Sequence, residues 1–422
     1  MAFKGLPKFE SLAKIGNVLS SSVGETLGLS SALGMPIAIE FGTGALKVLQ
    51  VTGDPPTLVA AACLETPDDL LTDQKRRLQF QLEGLPRLVR NAGFRGKRAV
   101  CAIPSWAIMC KHVSLPRAEG VPLASQVAEA VPSIFGVDPF SVVHRFSEVP
   151  APDRPGKAEV IVTAVERELV DQLMGAVTAC KLQPVGMHSE FLAVLRTFDH
   201  VHKRETDAAI NTLYLDIGAS TTGVMISHGK DLAFARVIQI GGQHLDEMIA
   251  RQLKVDMAEA RRMRLELDAG LQDPAPAPAL VTAGGGGVEA RGARADERGV
   301  LPMAPGFTPE LTRQALRPVT PPKADVKEVI ESLTDEVLMC LRYHEGQFPG
   351  KRVERAIFVG GEARHRGLCQ AIARSLRLPA QMADPLARVV RTGAEPALGI
   401  DMKRPQPGWA VTLGLCLSPT DL

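Results

Sequence analysis

The chain has 422 residues, 45% hydrophobic and 23% charged, with a formal net charge of +1. That length holds two or more domains with substantial cores, and that charge gives no global argument for nucleic acid or an acidic membrane as partner. The seven cysteines are odd in number and form no cluster of metal-ligand spacing, so they read as reduced thiols, and no apolar run approaches the roughly 20 residues of a membrane-spanning helix.

Residues 1–34 form a flexible or amphipathic leader in which Lys4, Lys8 and Lys14 are interleaved with Phe3, Leu6, Phe9, Leu12 and Ile15. A frayed tail and a short helix lying on a membrane or partner are both open. From 35 the pattern predicts strand, turn, strand over 36–42 and 46–52, then a third strand over 57–65. Leu78, Leu82, Leu85, Leu88 and Val89 give 74–92 helical spacing, and Pro86 is expected to kink or interrupt that helix. A short buried strand follows at 99–103. Residues 108–183 read as strand (109–113), helix (122–131, ending near Pro132), strands (141–147 and 159–164) and helix (166–180), the order of a small inserted α/β subdomain. A polar loop is expected over 150–157.

A strand at 184–188 and a helix at 190–199 lead to a second hairpin over 209–227, a third strand over 231–240, and Gly241-Gly242. Helical periodicity then runs through 245–267. Residues 272–323 become Pro/Ala/Gly-rich, cannot bury a core, and read as a disordered insertion. A helix over 324–347, a strand over 356–359, Gly360-Gly361, a helix over 367–376 and a last apolar helix over 410–417 complete the pattern.

The hairpins carry the chemistry. In one, an apolar strand brings Asp216 to Gly218, Ala219, Ser220 and Thr221; in the other, Glu40 precedes Gly42, Thr43 and Gly44. Such tips expose N–H and hydroxyl donors suited to phosphate, beside a carboxylate that can hold Mg²⁺ through water. Their recurrence about 175 residues apart suggests a duplicated nucleotide clamp. Consecutive glycines at 360–361 between strand and helix weaken packing unless a backbone or ligand comes close.

These motifs occur in the order of the actin-like ATPase superfamily, a two-lobed actin-like (ribonuclease H-like) α/β fold. Gly42-Thr43-Gly44 resembles its first phosphate motif, Asp216 to Thr221 its second, and Phe358-Val359-Gly360-Gly361-Glu362-Ala363-Arg364 its adenosine motif. Within the superfamily the chain is similar to the PilM family of type IV pilus assembly. Ile240-Gly241-Gly242-Gln243-His244-Leu245, Leu115-Pro116, Gly367-Leu368, Leu378-Pro379 and Ala383-Asp384-Pro385 carry that likeness. Glu40 stands where the family usually has Asp, and its extra methylene moves the carboxylate by about 1.5 Å. The resemblance implies a first lobe of 35–107 and 184–207, an inserted subdomain of 108–183, and a second lobe of 208–271 and 324–422.

It also implies ATP and Mg²⁺. Asp216 and Glu40 would hold the metal through water. Gly42, Thr43, Gly44, Gly218, Ala219, Ser220, Thr221, Gly241, Gly242, Gly360, Gly361 and Arg364 would line the nucleotide. Glu259 and Arg262, in a Glu-x-x-Arg pair, would meet ribose and adenine, or simply pair on an exposed helix face. Glu190 would orient a hydrolytic water, or sit at a helix N-terminus that favours its charge. Lys47 is either a phosphate partner or a solvated strand lysine, and His228 and His244 read as loop or helix-surface residues. The implied role is a cytoplasmic ATP-binding scaffold, at most a slow ATPase, held at the inner membrane by the cytoplasmic N-terminal peptide of a PilN-like protein, with self-association open and no nucleic acid. An FtsA-like membrane-associated division protein is the alternative, and a sugar-kinase-like enzyme lacks a clear catalytic Asp motif.

Overall fold

The computed structural model describes residues 35–150, 156–202, 210–270 and 324–420. The expected leader, most of the expected 150–157 loop and the Pro/Ala/Gly-rich insertion lie outside the described residues.

The first part of the chain forms β1 (Ile37–Phe41), β2 (Ala45–Thr52), β3 (Thr57–Glu65), α1 (Gln74–Asn91) and β4 (Arg98–Ile103), then β5 (Met109–Pro116), α2 (Leu123–Phe135), β6 (Val142–Val149), β7 (Lys157–Glu166), α3 (Arg167–Ala179), β8 (Gln183–Ser189) and α4 (Glu190–Phe198). The second part forms β9 (Asn211–Ile217), β10 (Thr222–His228), β11 (Asp231–Ile238), α5 (Gly242–Leu253), α6 (Met257–Gly270), α7 (Lys327–Gln347), β12 (Arg355–Val359), α8 (Arg366–Leu376), β13 (Ala380–Met382), β14 (Ala397–Leu398) and α9 (Ala410–Cys416). No described helix is long and apolar enough to cross a membrane.

Two sheets repeat one plan. The first runs β14-β3-β2-β1-β4-β8 and the second β11-β10-β9-β12-β13. In each, an antiparallel meander (β1–β3, β9–β11) is followed by parallel strands beside its first member. Central strands such as β1, buried at all five residues, read as continuous apolar runs because both sheet faces are covered. Helices α1 and α3 cover the outer face of the first sheet, and α7 and α8 that of the second. A third cluster joins the inner faces of both sheets to α4 and α9, with Phe191, Tyr214 and Trp409 among its members.

Several expectations change. Helix α1 is not interrupted at Pro86, since Leu85 and Leu88, one on each side of it, are buried on the first sheet and hold the helix despite the missing N–H. Helix α2 likewise passes Pro132 and ends on left-handed Gly136. The single period over 245–267 is two helices. Lys254, at φ +54°, ends α5, and Asp256 accepts the Glu259 N–H at 2.8 Å as α6 begins.

The insertion is narrower than the sequence suggests. β5, β7 and β6 form its antiparallel sheet, and α2 packs on that sheet through Val127 and Val131. Helix α3 instead buries Leu169, Val170, Leu173 and Val177 in the outer core of the first lobe. The C-terminal segment is also not confined to the second lobe. Strand β14 pairs with β3, and every residue of α9 is buried, so that helix must be enclosed on all sides. It crosses α4 at Gly414, where an added Cβ would lie 1.7 Å from the Ala193 carbonyl oxygen.

Candidate functional site

The turns of the β1–β2 and β9–β10 hairpins meet across the lobes. Each is closed in the same way: Gly42 N–H donates to Ala45 O at 3.1 Å, and Gly218 N–H to Thr221 O at 2.9 Å. Each is also pinned from behind. Gln81 Nε2 donates to Gly42 O at 2.7 Å and Thr66 N–H to Gly44 O at 3.0 Å. At the second turn the first N–H groups of α5, from Gly242 and Gln243, donate to Gly218 O and Ala219 O at 3.1 and 2.8 Å. Those helix-terminal donors would otherwise be orphans. Gly241 permits the approach, because a Cβ there would lie 2.5 Å from Gly218 O. Across the cleft Thr43 Oγ1 and Ser220 Oγ are 2.7 Å apart, and Ser105 Oγ and Thr221 Oγ1 3.0 Å apart. The structure therefore brings Gly42, Thr43, Gly44, Gly218, Ala219, Ser220 and Thr221 into one constellation.

Behind the turns lie three acids and one cation. Glu40 faces Lys47 in the hairpin register, and the Lys47 ammonium donates to Glu40 Oε1 at 2.6 Å and to Gly408 O at 2.5 Å. Lys47 is thus a half-buried ion-pair partner, not a solvated strand lysine. Burial opposes its charge, but Glu40 outweighs burial and its pKa ends above the usual lysine value. Asp216 is pushed up to about 6 by burial and then by the Glu40 charge. Glu190, the first residue of α4, is pushed up to about 8 by burial and then by Asp216 and Glu40. Glu40 Oε2 is buried without a hydrogen bond. Burial is the larger cause of both shifts, and repulsion among acids that Lys47 only partly neutralises adds to it. A cation fits that deficit. Among the described residues no three His, Cys, Asp or Glu side chains are placed to ligate a metal directly.

The glycine pair after β12 completes the floor. Gly360 has φ +93°, and a Cβ on it would lie 2.3 Å from Ile217 O and 2.5 Å from Asp216 Oδ1. Only glycine allows that approach and that backbone angle. A Cβ on Gly361 would meet nothing within 4 Å. Gly360 N–H donates to Pro407 O at 3.0 Å, and Arg364 Nη2 to Gln406 Oε1 at 2.5 Å.

A group that sequence reasoning misses lies beside this turn. Arg264, on α6, donates through Nε to Asp246 and through Nη1 to Glu362, each at 2.5 Å, and His365 Nε2 is 3.0 Å from Glu362. All four are buried. Burial alone would raise the Glu362 pKa, but His365 and the Arg264 charge hold it down at about 2. Gly242 makes room for this carboxylate, since its Cβ would be 2.3 Å from Glu362 Cδ. The one signal in the sequence is spacing: Arg264 follows buried Ala260 by one helical turn. Glu259 and Arg262 instead pair with each other, Arg262 also reaching Glu266, on an exposed face of α6. Arg261 crosses to the first lobe and meets Asp68 at 2.6 Å.

His228 is not a surface residue. Its Nε2 lies 2.8 Å from Nε2 of buried His344, and burial lowers both pKa values to about 4. His244 caps α5, its Nδ1 accepting the Gly241 N–H at 3.1 Å.

The profile of the family described as type IV pilus assembly protein PilM matches residues 38–272, and that of cell division protein FtsA matches 213–398. No curated protein sequence matches the chain. Among solved structures, a PilM–PilN type IV pilus biogenesis complex is similar at 22% identity and a TM-score of 0.65, over 91% of this chain and 98% of that one. Ethanolamine utilization protein EutJ from Carboxydothermus hydrogenoformans follows at 14% identity and a TM-score of 0.44, over 90% and 89%. MreB5 of Spiroplasma citri bound to ADP has 13% identity and a TM-score of 0.43, over 91% and 95%. The fold is the two-lobed, mixed α/β, actin-like one.

Proposed function

The chain belongs to the PilM family of type IV pilus assembly proteins, and from that premise we propose that it is an ATP-binding scaffold of a pilus, secretion or competence assembly platform that takes the cytoplasmic N-terminal peptide of a PilN-like membrane protein. The observation that carries the nucleotide half is the meeting of two like hairpin turns over buried Glu40 and Glu190 and half-buried Lys47 and Asp216. The Gly42–Gly44 and Gly218–Thr221 turns would receive the β- and γ-phosphates, and Lys47 would counter their charge. Gly361 and Arg364 lie where adenosine would rest. Asp216 and Glu40 would hold Mg²⁺ through water, and bound Mg²⁺ would neutralise phosphate charge. The repeated strand order of the two sheets supports a ribonuclease H-like reading of each lobe.

The Thr43–Ser220 contact closes the turns on each other, so phosphate entry must part the lobes. A groove between the first lobe and the β5–β7 sheet would take the peptide, and ATP and peptide would select the same lobe arrangement. The chain would then sit in the cytoplasm and reach the inner membrane through its partner. Hydrolysis is not required. The test is calorimetry of PilN-like N-terminal peptides with the full chain, with and without Mg·ATP. Binding that Mg·ATP strengthens supports the scaffold, and no peptide binding in either state contradicts it.

The FtsA profile over 213–398 gives the alternative, a membrane-associated division protein, a footing in the second lobe. Loss of membrane recruitment on deleting residues 1–34, in cells without the PilN-like partner, would favour it.

A further inference from the structure

Beside the hairpin turns, between the first turn of α1 and the start of α5, lies a cavity of about 230 Å³ lined by Arg77, Trp106, Ser220, Gln243 and His244, among others. Arg77 decides its character. The residue is only 4% exposed, its Nη1 donates to the Leu71 carbonyl at 2.6 Å, and its guanidinium carbon lies 5.7 Å from the Trp106 ring centre. Among the described residues no carboxylate stands within ion-pair distance of it, and Asp73 acts on it only from farther away. A buried guanidinium without a counter-ion is costly, and its surplus donors want an anion.

The other walls agree. His244 Nδ1 accepts the Gly241 N–H, which leaves the ring proton on Nε2. The Ser220 hydroxyl, bonded to Thr43, is a further polar group of the wall.

We propose that this cavity is a binding site for a small oxyanion of the phosphate type, held by Arg77 and His244. The cavity shares Ser220 with the second hairpin turn, but Arg77, Trp106, Gln243 and His244 lie outside the nucleotide reading. Anion binding here draws Arg77 and Trp106 of the first lobe and Gln243 and His244 of the second onto one ligand, so it favours the closed lobe arrangement.

The test titrates inorganic phosphate into the full chain, in chloride buffer and without nucleotide, by calorimetry. Saturable one-to-one binding is expected. Arg77→Gln is expected to weaken it by at least about tenfold. Gln243→Glu places a carboxylate on the cavity wall, in the first turn of α5, where the helix dipole favours an acid, so this variant should fold and lose the anion. Absence of saturable binding by the folded wild-type chain overturns the proposal. So does binding that survives both cavity variants, which would put the anion elsewhere.

Discussion

The two hairpins that meet in the cleft share a turn and an acid and differ at one facing position. In the first, Glu40 sits opposite Lys47; in the second, Asp216 sits opposite Gly223. A Cβ at Gly223 would be 3.6 Å from that of Asp216, an ordinary contact, so glycine is not forced there by crowding at Cβ. The first acid is therefore neutralised within its own hairpin. The second has no facing side chain, and burial with the Glu40 charge pushes its pKa up to about 6. A duplicated motif has become asymmetric: one copy carries its own cation, and the other does not.

The comparison can be broken most forcibly at Lys47. Lys47→Met leaves the Glu40 carboxylate buried without its partner and is expected to cost about 3–5 kcal/mol in urea unfolding. Lys47→Met combined with Glu40→Gln should recover much of that loss. If the single variant is as stable as wild type, Glu40 is not neutralised by its hairpin.

Glu362 sharpens the contrast from the other end of the cleft, being a buried acid with its full complement of partners. Its pKa of about 2 lies below the ordinary 4.5, so the folded state holds its charge and the unfolded state takes up the proton first. Its contribution is present above pH 4.5 and is lost as pH falls toward 2. Acid unfolding of Glu362→Gln should lack that part of the pH slope, an effect of about 1–3 kcal/mol at neutral pH. An unchanged slope would mean that Glu362 is not held ionised by Arg264 and His365.

The smallest expected effect is at the turns themselves. Thr43→Val removes the hydroxyl contact with Ser220 and should lower stability by about 1 kcal/mol. Hydrogen exchange at the Gly42–Gly44 and Gly218–Thr221 amides should rise together in this variant; a rise at one turn alone would mean that the turns do not close on each other.

Much of this frame is legible in the sequence. The hairpins stand out because an acid, a glycine and small hydroxyl residues interrupt runs of strand-type apolar residues, and the Gly360 turn because two glycines cannot otherwise be explained between β12 and α8. Residue choice inside α6 is not legible. Arg261, Arg262 and Arg264 find three different fates — Asp68 across the cleft, Glu259 and Glu266 on the surface, Asp246 and Glu362 in the interior — and only tertiary position separates them. The fate of Lys47 depends on Gly408, which lies in a stretch of short turns with no period to read. Pro86 and Pro132 mislead for a related reason, since burial of neighbouring residues outweighs the single helix bond that each proline removes.

The most direct measurement is calorimetry of ATP binding to the full chain with and without Mg²⁺, repeated on Asp216→Ala. The asymmetry of the hairpins predicts Mg²⁺-dependent binding in the wild-type chain and its loss in Asp216→Ala, with the variant still folded. Equal binding by both proteins, or none by folded wild type, would contradict the assignment of Asp216 as the acid that awaits a cation.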